Sequence, residues 1–560
     1  MLPPFSVHAF QSLCNLQQPH PPLPCFLPST PTQPPTHARS LLLAVPGNGI
    51  EQLPPEIKAL SGLETVNFGF NKLEVLPAEI GNMKNLTHLD VSHNQLTGVP
   101  EVLASCRELR VIDLSSNAIL GFDGLNEPVA RRLSFQEAAC GSTENEVHGS
   151  ICSLPKLEVL KLHATKLTSL PEFVGALDGV RQLSLQYAGL TSLPEAVASW
   201  CSLECLNLEG NKLNALPAGV GGWRGLRFIS LANNKLQKLP EEVSAWASVE
   251  VVNLANNALT TLPLGLGACS VLVELNASGN RLAHFPAELC ALGALQEMNL
   301  NSNVLTRLPE ELGRLTGLHT LHVSDNKLRE LPRSIGALTG LKVLTLRNNV
   351  LRTLPCEISA LERLVQLSLD NNALRELPED IGSLRSLQEL YVSNNSLSTL
   401  PLSIGSLSFL KYLYLNNNQV RSLPSSLGHC RALSRLDLYS NPLKATLREV
   451  WVMGVSSTLE YLRNPSSYDM LRQYHYGRSY ADPPKVAFTA LAGASSGIWG
   501  IVGFRAGWGL GNALFIATSL AAGVLERAGD DMPRQMRHVV GAFGNLEQRP
   551  SADPSDLRVI

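Results

Sequence analysis

The 560-residue chain lacks an excess of charge of either sign, and it lacks the short motifs that usually mark an enzyme. Forty-five basic and 48 acidic residues give a formal charge of −3, so no overall basic excess favours nucleic acid. The sequence contains no G-x-x-x-x-G-K-[ST] phosphate loop, no kinase signature and no paired C-x-x-C zinc motif. We therefore predict no catalytic residue, no cofactor, no metal site and no nucleic-acid partner.

One pattern is abundant instead. The stretch from Leu341 to Pro355 reads LKVLTLRNNVLRTLP and fits the skeleton L-x-x-L-x-L-x-x-N-x-L-x-x-L-P. The same skeleton recurs every 23 residues, and self-similarity at such a period indicates a solenoid. Thr165 and Ala188 replace the asparagine in two units. The recurring asparagines are Asn48, Asn71, Asn94, Asn117, Asn211, Asn234, Asn257, Asn280, Asn303, Asn326, Asn349, Asn372, Asn395, Asn418 and Asn441.

The spacing within one unit predicts its local structure. Leu344 and Leu346 alternate with period two, as in a short strand with one buried face. Asn349 follows where the chain must leave the strand, and its side-chain amide can bond backbone groups that have no other partner there. Pro355 suits the first position of a short helical segment, where the missing N–H is not needed.

Stacking of these units fixes the curvature. One unit cannot bury its own apolar face, so neighbouring units must share a core. Adjacent strands lie about 4.8 Å apart, whereas packed helices need about 8–10 Å, so the strands must line the inside of the curve. We predict an α/β solenoid, a horseshoe with a concave parallel sheet and about 17 repeats of 23 residues.

The unit continues as L-P-x-x-[IL]-G-x-L, and in this form it closely resembles the intracellular leucine-rich repeats of the Ras-pathway group. That group includes the Ras-suppressor and Scribble-like scaffolds and the plant intracellular Ras-group proteins. Residues 331–338 and 377–384 carry the match. Residues 441–443, with Gly454 and Tyr461-Leu462-Arg463, are similar to the segment that closes the repeats in that group.

The resemblance covers roughly residues 41–465. It implies a leucine-rich-repeat horseshoe that serves as a scaffold in signal transduction, with a protein partner such as a small GTPase or a phosphatase. It transfers no catalytic residue. A proline-rich leader, an insertion and an apolar tail depart from the group's pattern, and they leave the partner and the subcellular location open.

Cysteine usage favours an intracellular protein. The 11 cysteines are scattered, mostly singly, whereas extracellular leucine-rich repeats usually end in cysteine-clustered caps. Cys106, Cys269 and Cys430 each lie eleven residues before a repeat asparagine, where Leu338 lies in another unit. We interpret them as small buried apolar residues. Reduced thiols and a cytoplasmic location follow.

Composition changes sharply outside the repeats. Residues 1–40 contain ten prolines and a single charged residue, Arg39, which favours a disordered leader. The repeats occupy 41–443, and residues 121–150 within them lack the pattern and form an irregular insertion. Apolar and charged residues mix in 444–482, which we predict to form a helical cap over the last repeat.

Residues 483–528 form an apolar, glycine-rich segment. Between 486 and 525 only Arg505 is charged, and two runs approach the ~20 apolar residues that a membrane helix needs. Glycines recur there at spacings of three and four, which gives faces on which membrane helices can approach closely. The segment is either a membrane hairpin or a stretch packed on the cap or on another chain. A polar tail, 529–560, follows.

Two short matches near this segment have low specificity. Lys485-Val486-Ala487-Phe488 fits the [RK]-V-x-F docking pattern for type-1 protein phosphatase. The run from Gly493 to Gly497 fits the G-x-S-x-G elbow of hydrolases, but that elbow requires a preceding strand and a surrounding sheet. Chance accounts better for the second match than an active site does.

Aromatic residues make up only 6% of the chain, yet four tyrosines fall on three successive predicted strands near the end of the repeats. Tyrosine and arginine are enriched at interface hot spots. We predict a partner-binding patch on the concave face; alternatively, the tyrosines stack only to cover the sheet. The patch consists of Tyr391, Tyr412, Tyr414, Tyr439, Glu389, Arg435 and Asp437.

These observations predict a non-enzymatic protein–protein interaction scaffold, cytoplasmic and active in intracellular signal transduction, that binds its partner on the concave face. The alternative is a membrane-associated protein tethered by residues 486–525. An enzyme within 447–560 is a third possibility, but no acid–base constellation in that segment supports it.

Overall fold

The computed structural model describes residues 41–121 and 151–476. The predicted leader, the insertion beyond Gly121, and all of the predicted apolar segment and polar tail lie outside these ranges. The chain divides into two units, Met1–Leu471 and Arg472–Ile560.

Short strands of three residues form one parallel sheet, in which each strand pairs with the next along the chain. The middle residue of every strand from the second onward is buried. The register advances by 23 residues at each step except one, where Val111 pairs with Val159 across the insertion. The predicted solenoid with a parallel sheet is confirmed. The strands are β1 Leu42–Ala44, β2 Thr65–Asn67, β3 His88–Asp90, β4 Val111–Asp113, β5 Val159–Lys161, β6 Gln182–Ser184, β7 Cys205–Asn207, β8 Phe228–Ser230, β9 Val251–Asn253, β10 Glu274–Asn276, β11 Glu297–Asn299, β12 Thr320–His322, β13 Val343–Thr345, β14 Gln366–Ser368, β15 Glu389–Tyr391, β16 Tyr412–Tyr414 and β17 Arg435–Asp437.

A short 3-10 helix follows the recurring proline on the opposite side of each turn, except in the turn that contains the insertion, where Ile151–Ser153 follows no proline. Pro355 has φ −67° and ψ 143°, and the helix begins at Cys356. The prediction that proline takes the first helical position is therefore wrong by one residue, because the carbonyl of Pro355 accepts the first helical hydrogen bond from Ile358. The 3-10 helices are Pro55–Leu60, Ala78–Asn82, Glu101–Ser105, Ile151–Ser153, Glu172–Ala176, Glu195–Ser199, Ala218–Gly222, Glu241–Ala245, Leu264–Ala268, Ala287–Ala291, Glu310–Arg314, Arg333–Ala337, Cys356–Ala360, Glu379–Ser383, Leu402–Ser406, Ser425–His429 and Pro465–Ser467.

The recurring asparagines form a hydrogen-bonded ladder. The Nδ2 group of Asn349 donates to the carbonyls of Leu346, in its own turn, and Val323, in the preceding repeat, at 3.0 and 2.9 Å. Its Oδ1 accepts the backbone N–H of Leu328, also in the preceding repeat, at 3.0 Å. Each buried amide therefore joins two successive turns, as the sequence predicts.

The ladder is interrupted at the two substituted positions. Thr165 donates from Oγ1 to the carbonyl of Leu162 at 2.8 Å, which is a bond within its own turn. In the next repeat, the N–H of Leu190 donates to Oδ1 of Asn211 at 2.9 Å. Ala188 has no side-chain acceptor, so the equivalent N–H of Leu167 does not receive this bond.

Besides the pair of Lys161 and Asp113 at 3.2 Å, two surface ion pairs join the repeats on either side of the insertion. Arg110 and Glu158 lie 2.5 Å apart, and Lys156 and Glu108 lie 2.6 Å apart. All four side chains are about half exposed, so each pair contributes little to stability, at most about 1 kcal/mol. The strand pairing between β4 and β5 is the main link across this point.

A positive φ at the residue before each ladder position is a feature that sequence reasoning missed. It occurs in all 17 repeats, at glycine in three of them. Asparagine tolerates this left-handed conformation better than most residues, which accounts for the Asn-Asn doublets. Asn371 also donates from Nδ2 to Oδ1 of Asn348 at 2.5 Å, so part of a second ladder runs beside the first.

A stack of three buried indoles lies in the core between β6 and β9. The rings of Trp200, Trp223 and Trp246 are nearly parallel, with neighbouring centroids 6.1 Å apart. Each Nε1–H donates to a backbone carbonyl of the preceding repeat at 2.7–2.9 Å. Cys430 occupies the same slot and donates its S–H to Ile404. Cys106, Cys269 and Cys430 are all buried, as the sequence predicts.

Three α-helices follow the last strand: α1 Ala445–Val452, α2 Val455–Arg463 and α3 Tyr468–Tyr476. Leu447, Leu459 and other apolar residues of α1 and α2 are buried against the last repeat. The Nε group of Arg463 donates to the carbonyl of Gly428 at 2.7 Å. A Cβ at Gly428 would lie 2.8 Å from Cγ of Arg463, so the absence of a side chain permits this close approach. None of the helices in 41–121 and 151–476 has the length and apolarity that crossing a membrane requires.

Removal of one ladder amide should destabilise the solenoid. We expect Asn349→Ala to lower the free energy of unfolding by about 3 kcal/mol, because the N–H of Leu328 and the carbonyl of Val323 lose a buried partner. Urea unfolding followed by far-UV circular dichroism measures the loss. Arg352→Ala, on the exposed surface nearby, is the control and should change stability by less than about 0.5 kcal/mol. Equal stability of the two variants would contradict the role given to the ladder.

Candidate functional site

The first and third residues of each strand point away from the core, toward the concave side, and form two rows across the sheet. On the last three strands the register aligns Glu389 with Tyr412 and Arg435 in the first row. It aligns Tyr391, Tyr414 and Asp437 in the second row. Tyr439 follows two residues after β17. The structure thus places all seven predicted residues, which we call the tyrosine patch, on one surface.

The centre of the tyrosine patch is an aromatic stack. The rings of Tyr391 and Tyr414 are parallel within 6°, and their centroids are 4.8 Å apart. The guanidinium carbon of Arg435 lies 5.2 Å from the centroid of Tyr414, within the range of a cation–π interaction. Two half-buried rings and one exposed arginine therefore form a continuous stack.

Polar contacts hold the stack in place. The hydroxyl of Tyr391 donates to Glu389 at 2.8 Å, and Arg435 forms an ion pair with Asp437 at 3.0 Å. Burial, together with the hydrogen bond to Glu389, raises the pKa of Tyr391 above its ordinary value. Burial also raises the pKa of Tyr414. Both phenols therefore stay protonated near neutral pH. The proton of Tyr391 is used in the bond to Glu389, so Tyr391 offers a partner only its acceptor lone pairs.

Tyr439 extends the patch toward the C-terminal helices. Its side chain is 61% exposed, and its ring packs edge-on against Trp451 of α1 with centroids 4.8 Å apart. The indole N–H of Trp451 donates to the carbonyl of Leu436 in β17 at 2.8 Å. The cap thus fixes one border of the patch.

A concave pocket of about 380 Å³ adjoins the other border and shares Tyr391 with the patch. Arg347 and Asp370 line it two residues after β13 and β14, and His322 lines it from β12. Burial raises the pKa of Asp370, and the hydrogen bond from the backbone N–H of Ser393, followed by the charge of Arg347, opposes that rise. Burial lowers the pKa of His322. Sequence reasoning missed this pocket, although opposite charges at one repeat position on successive turns were a visible signal.

Comparison with protein families identifies the repeat in parts of the chain. Residues 308–393 and 357–453 match the family model described as a leucine-rich repeat region. Residues 61–119 match the model described as a leucine rich repeat. The chain carries leucine-rich repeats.

Solved leucine-rich repeat structures agree with this assignment. A leucine-rich repeat protein of Leptospira interrogans is 29% identical with a TM-score of 0.59, over 73% of this chain and 92% of that one. The ectodomain of the plant membrane receptor kinase GASSHO1/SCHENGEN3 from Arabidopsis thaliana is 30% identical with a TM-score of 0.52, over 72% of this chain and 50% of that one. The Drosophila Toll–Spatzle complex shares the fold, at 21% identity and a TM-score of 0.59.

A short local similarity points elsewhere. Over 36 residues, 6% of this chain, the leucine-rich repeat protein is 61% identical to the multidrug efflux protein YfmO of Bacillus subtilis. The match spans only 9% of that relative, so it does not assign the relative's activity to this chain.

The leucine-rich repeat protein also carries two neighbouring carboxylates on the middle strands of its concave face. Glu274 on β10 and Glu297 on β11 are register partners in the first outward row. Glu274 is only 9% exposed. Burial, and to a lesser extent the charge of Glu297, raises the pKa of Glu274 to about 7. Sequence reasoning missed this pair, because nothing in the repeat pattern shows that one glutamate is covered.

Replacing Glu274 with glutamine should make stability less dependent on pH. Folding raises the pKa of this group from 4.5 to about 7, so the folded state holds the proton longer and becomes less stable as the pH rises between these values. We expect Glu274→Gln to match the wild type near about pH 4 and to exceed it by about 2 kcal/mol near about pH 8. Urea unfolding at both pH values measures the difference. The exposed Glu288→Gln is the control, and an equal gain at both pH values would contradict the prediction.

Proposed function

We propose that this leucine-rich repeat protein is a non-enzymatic scaffold that binds a protein partner through the tyrosine patch and the adjoining pocket. The stack of Tyr391, Tyr414 and Arg435 on the open side of the sheet is the observation that carries the proposal. Flat aromatic and guanidinium surfaces lose little conformational entropy on binding and are typical of interface hot spots. The patch is also held by its own polar contacts, which favours binding without rearrangement.

The comparison with known structures supports a binding role. The GASSHO1/SCHENGEN3 ectodomain was solved in complex with CASPARIAN STRIP INTEGRITY FACTOR 2, so repeats of this kind hold a protein ligand in that receptor. This chain spans half of that receptor chain, and its ligand is not transferred. For this chain we propose a protein partner on the concave face.

The proposed setting is intracellular signal transduction in the cytoplasm. Scattered cysteines and the resemblance to the Ras-pathway group support it. By the same resemblance, a small GTPase or a phosphatase is the class of partner to test first. The Lys485–Phe488 phosphatase pattern lies outside the described residues and adds little weight.

Loss of two tyrosines should reduce partner recovery. We expect Tyr412→Ala combined with Tyr414→Ala to lower the amount of bound partner by roughly tenfold or more, because each ring is a candidate hot spot. Affinity capture with the tagged full chain, quantified by mass spectrometry, measures the change.

The matched control is Gln182→Ala combined with Ser184→Ala, which alters the same two outward positions on the distant strand β6. This control should retain every partner that the wild type retains. If the wild type, the tyrosine variant and the control recovered the same partners, the tyrosine patch would not be the binding surface.

A second candidate function is membrane attachment of the repeats by residues 486–525. The near absence of charge in that stretch, where only Arg505 is charged, is the observation that favours it. The stretch lies outside the described residues, so the sequence alone supports this candidate.

Carbonate extraction of membranes separates the two candidates. A cytoplasmic scaffold should appear in the soluble fraction, both as the full chain and as a chain that ends at residue 482. Retention of the full chain in the membrane pellet, with release of the shortened chain, would instead establish the tether.

A further inference from the structure

The carboxylates of Glu274 and Glu297 form an uncompensated pair on the concave face. Their strands are directly hydrogen-bonded neighbours in register, which brings like charges side by side, an unfavourable arrangement on a sheet. Glu274 is 91% buried, since 9% of its surface is exposed. In the part of the chain that the structure describes, neither carboxylate has an ion pair or a side-chain hydrogen bond. A buried charge without a partner costs free energy that a bound cation would recover.

The surrounding surface provides no cation of its own. From β6 to β12 the outward positions of the strands contain no lysine and no arginine. The nearest arginine before the pair, Arg227, is already engaged with Glu250 at 2.7 Å. The carboxylate of Glu274 is not fully sealed from solvent. A ligand can therefore reach it from the concave side.

Apolar side chains flank the pair on one side. Val251 on β9 and Phe228 on β8 precede Glu274 in the same outward row and are half-buried. A hydrocarbon stem can lie across these two residues while a charged end reaches the carboxylates, which is how lysine and arginine side chains are usually held. A bare divalent cation would gain nothing from the apolar flank and prefers six or more oxygen ligands.

We propose that Glu274 and Glu297 bind the basic side chain of a lysine or arginine from the protein partner. This assignment rests on the proposed function, because it places part of the same partner on the middle of the concave face. It adds a chemical requirement that the tyrosine patch does not impose. The partner must carry a cationic side chain at the point that meets β10 and β11.

Titration with tetralysine tests the pair without knowledge of the partner. The full chain is titrated by isothermal calorimetry at low salt and near about pH 8, and tetra-(Nε-acetyl)lysine is the uncharged control peptide. We expect tetralysine to bind and its affinity to fall roughly tenfold or more in Glu274→Gln combined with Glu297→Gln. The matched control is Glu288→Gln combined with Glu311→Gln, two acids of successive 3-10 helices with the same 23-residue spacing. It should retain the wild-type affinity.

Each outcome bears on the proposal. Equal affinity of the double variant and the wild type, equal binding of the acetylated peptide, or no binding of tetralysine would overturn it. A calcium-induced rise in melting temperature that depends on Glu274 would also overturn it, in favour of a metal ion. Tyr412→Ala with Tyr414→Ala should leave tetralysine affinity unchanged. Failure of the carboxylate pair and failure of the tyrosine patch are therefore distinguished, since they appear in different variants and different assays.

Discussion

The ladder asparagines hold this solenoid together through hydrogen bonds to their own turn and to the preceding one. A unit of 23 residues cannot bury enough apolar surface to fold alone, so its stability depends on its neighbours. The amide of Asn349 bonds two turns within a buried core. Because the same bond recurs, the strand that precedes each asparagine is held in register with the next, and its outward side chains align in rows. The functional surface is a consequence of that alignment.

Much of this fold was predictable from the sequence, because each recurring residue has one physical task. The alternation of Leu344 and Leu346 predicted the strand, and Asn349 predicted the ladder. The proline was predicted at the first helical position, but it lies one residue before the helix. Its fixed φ is compatible with both the extended and the helical side of the boundary. The left-handed residue before each asparagine was missed, although the Asn-Asn doublets were a visible sign of it.

The candidate site was predictable in part, for a related reason. Position within the repeat shows which side chains share a row, so Tyr391, Tyr414 and Arg435 could be grouped from sequence. It does not show whether two rings stack or how much water reaches a side chain. Glu274 and Glu297 occupy equivalent positions, yet only Glu274 is buried. That difference depends on neighbouring side chains in three dimensions and was outside the reach of a periodic pattern.

The indole stack has a consequence for how the solenoid can be observed. Trp200, Trp223 and Trp246 are half of the chain's six tryptophans. Parallel rings 6.1 Å apart are close enough for excitonic coupling, which gives a near-ultraviolet signal that exists only while the three turns remain stacked. The middle of the array thus contains an intrinsic optical reporter. Fraying of the outer turns would leave that signal intact, whereas separation in the centre would extinguish it.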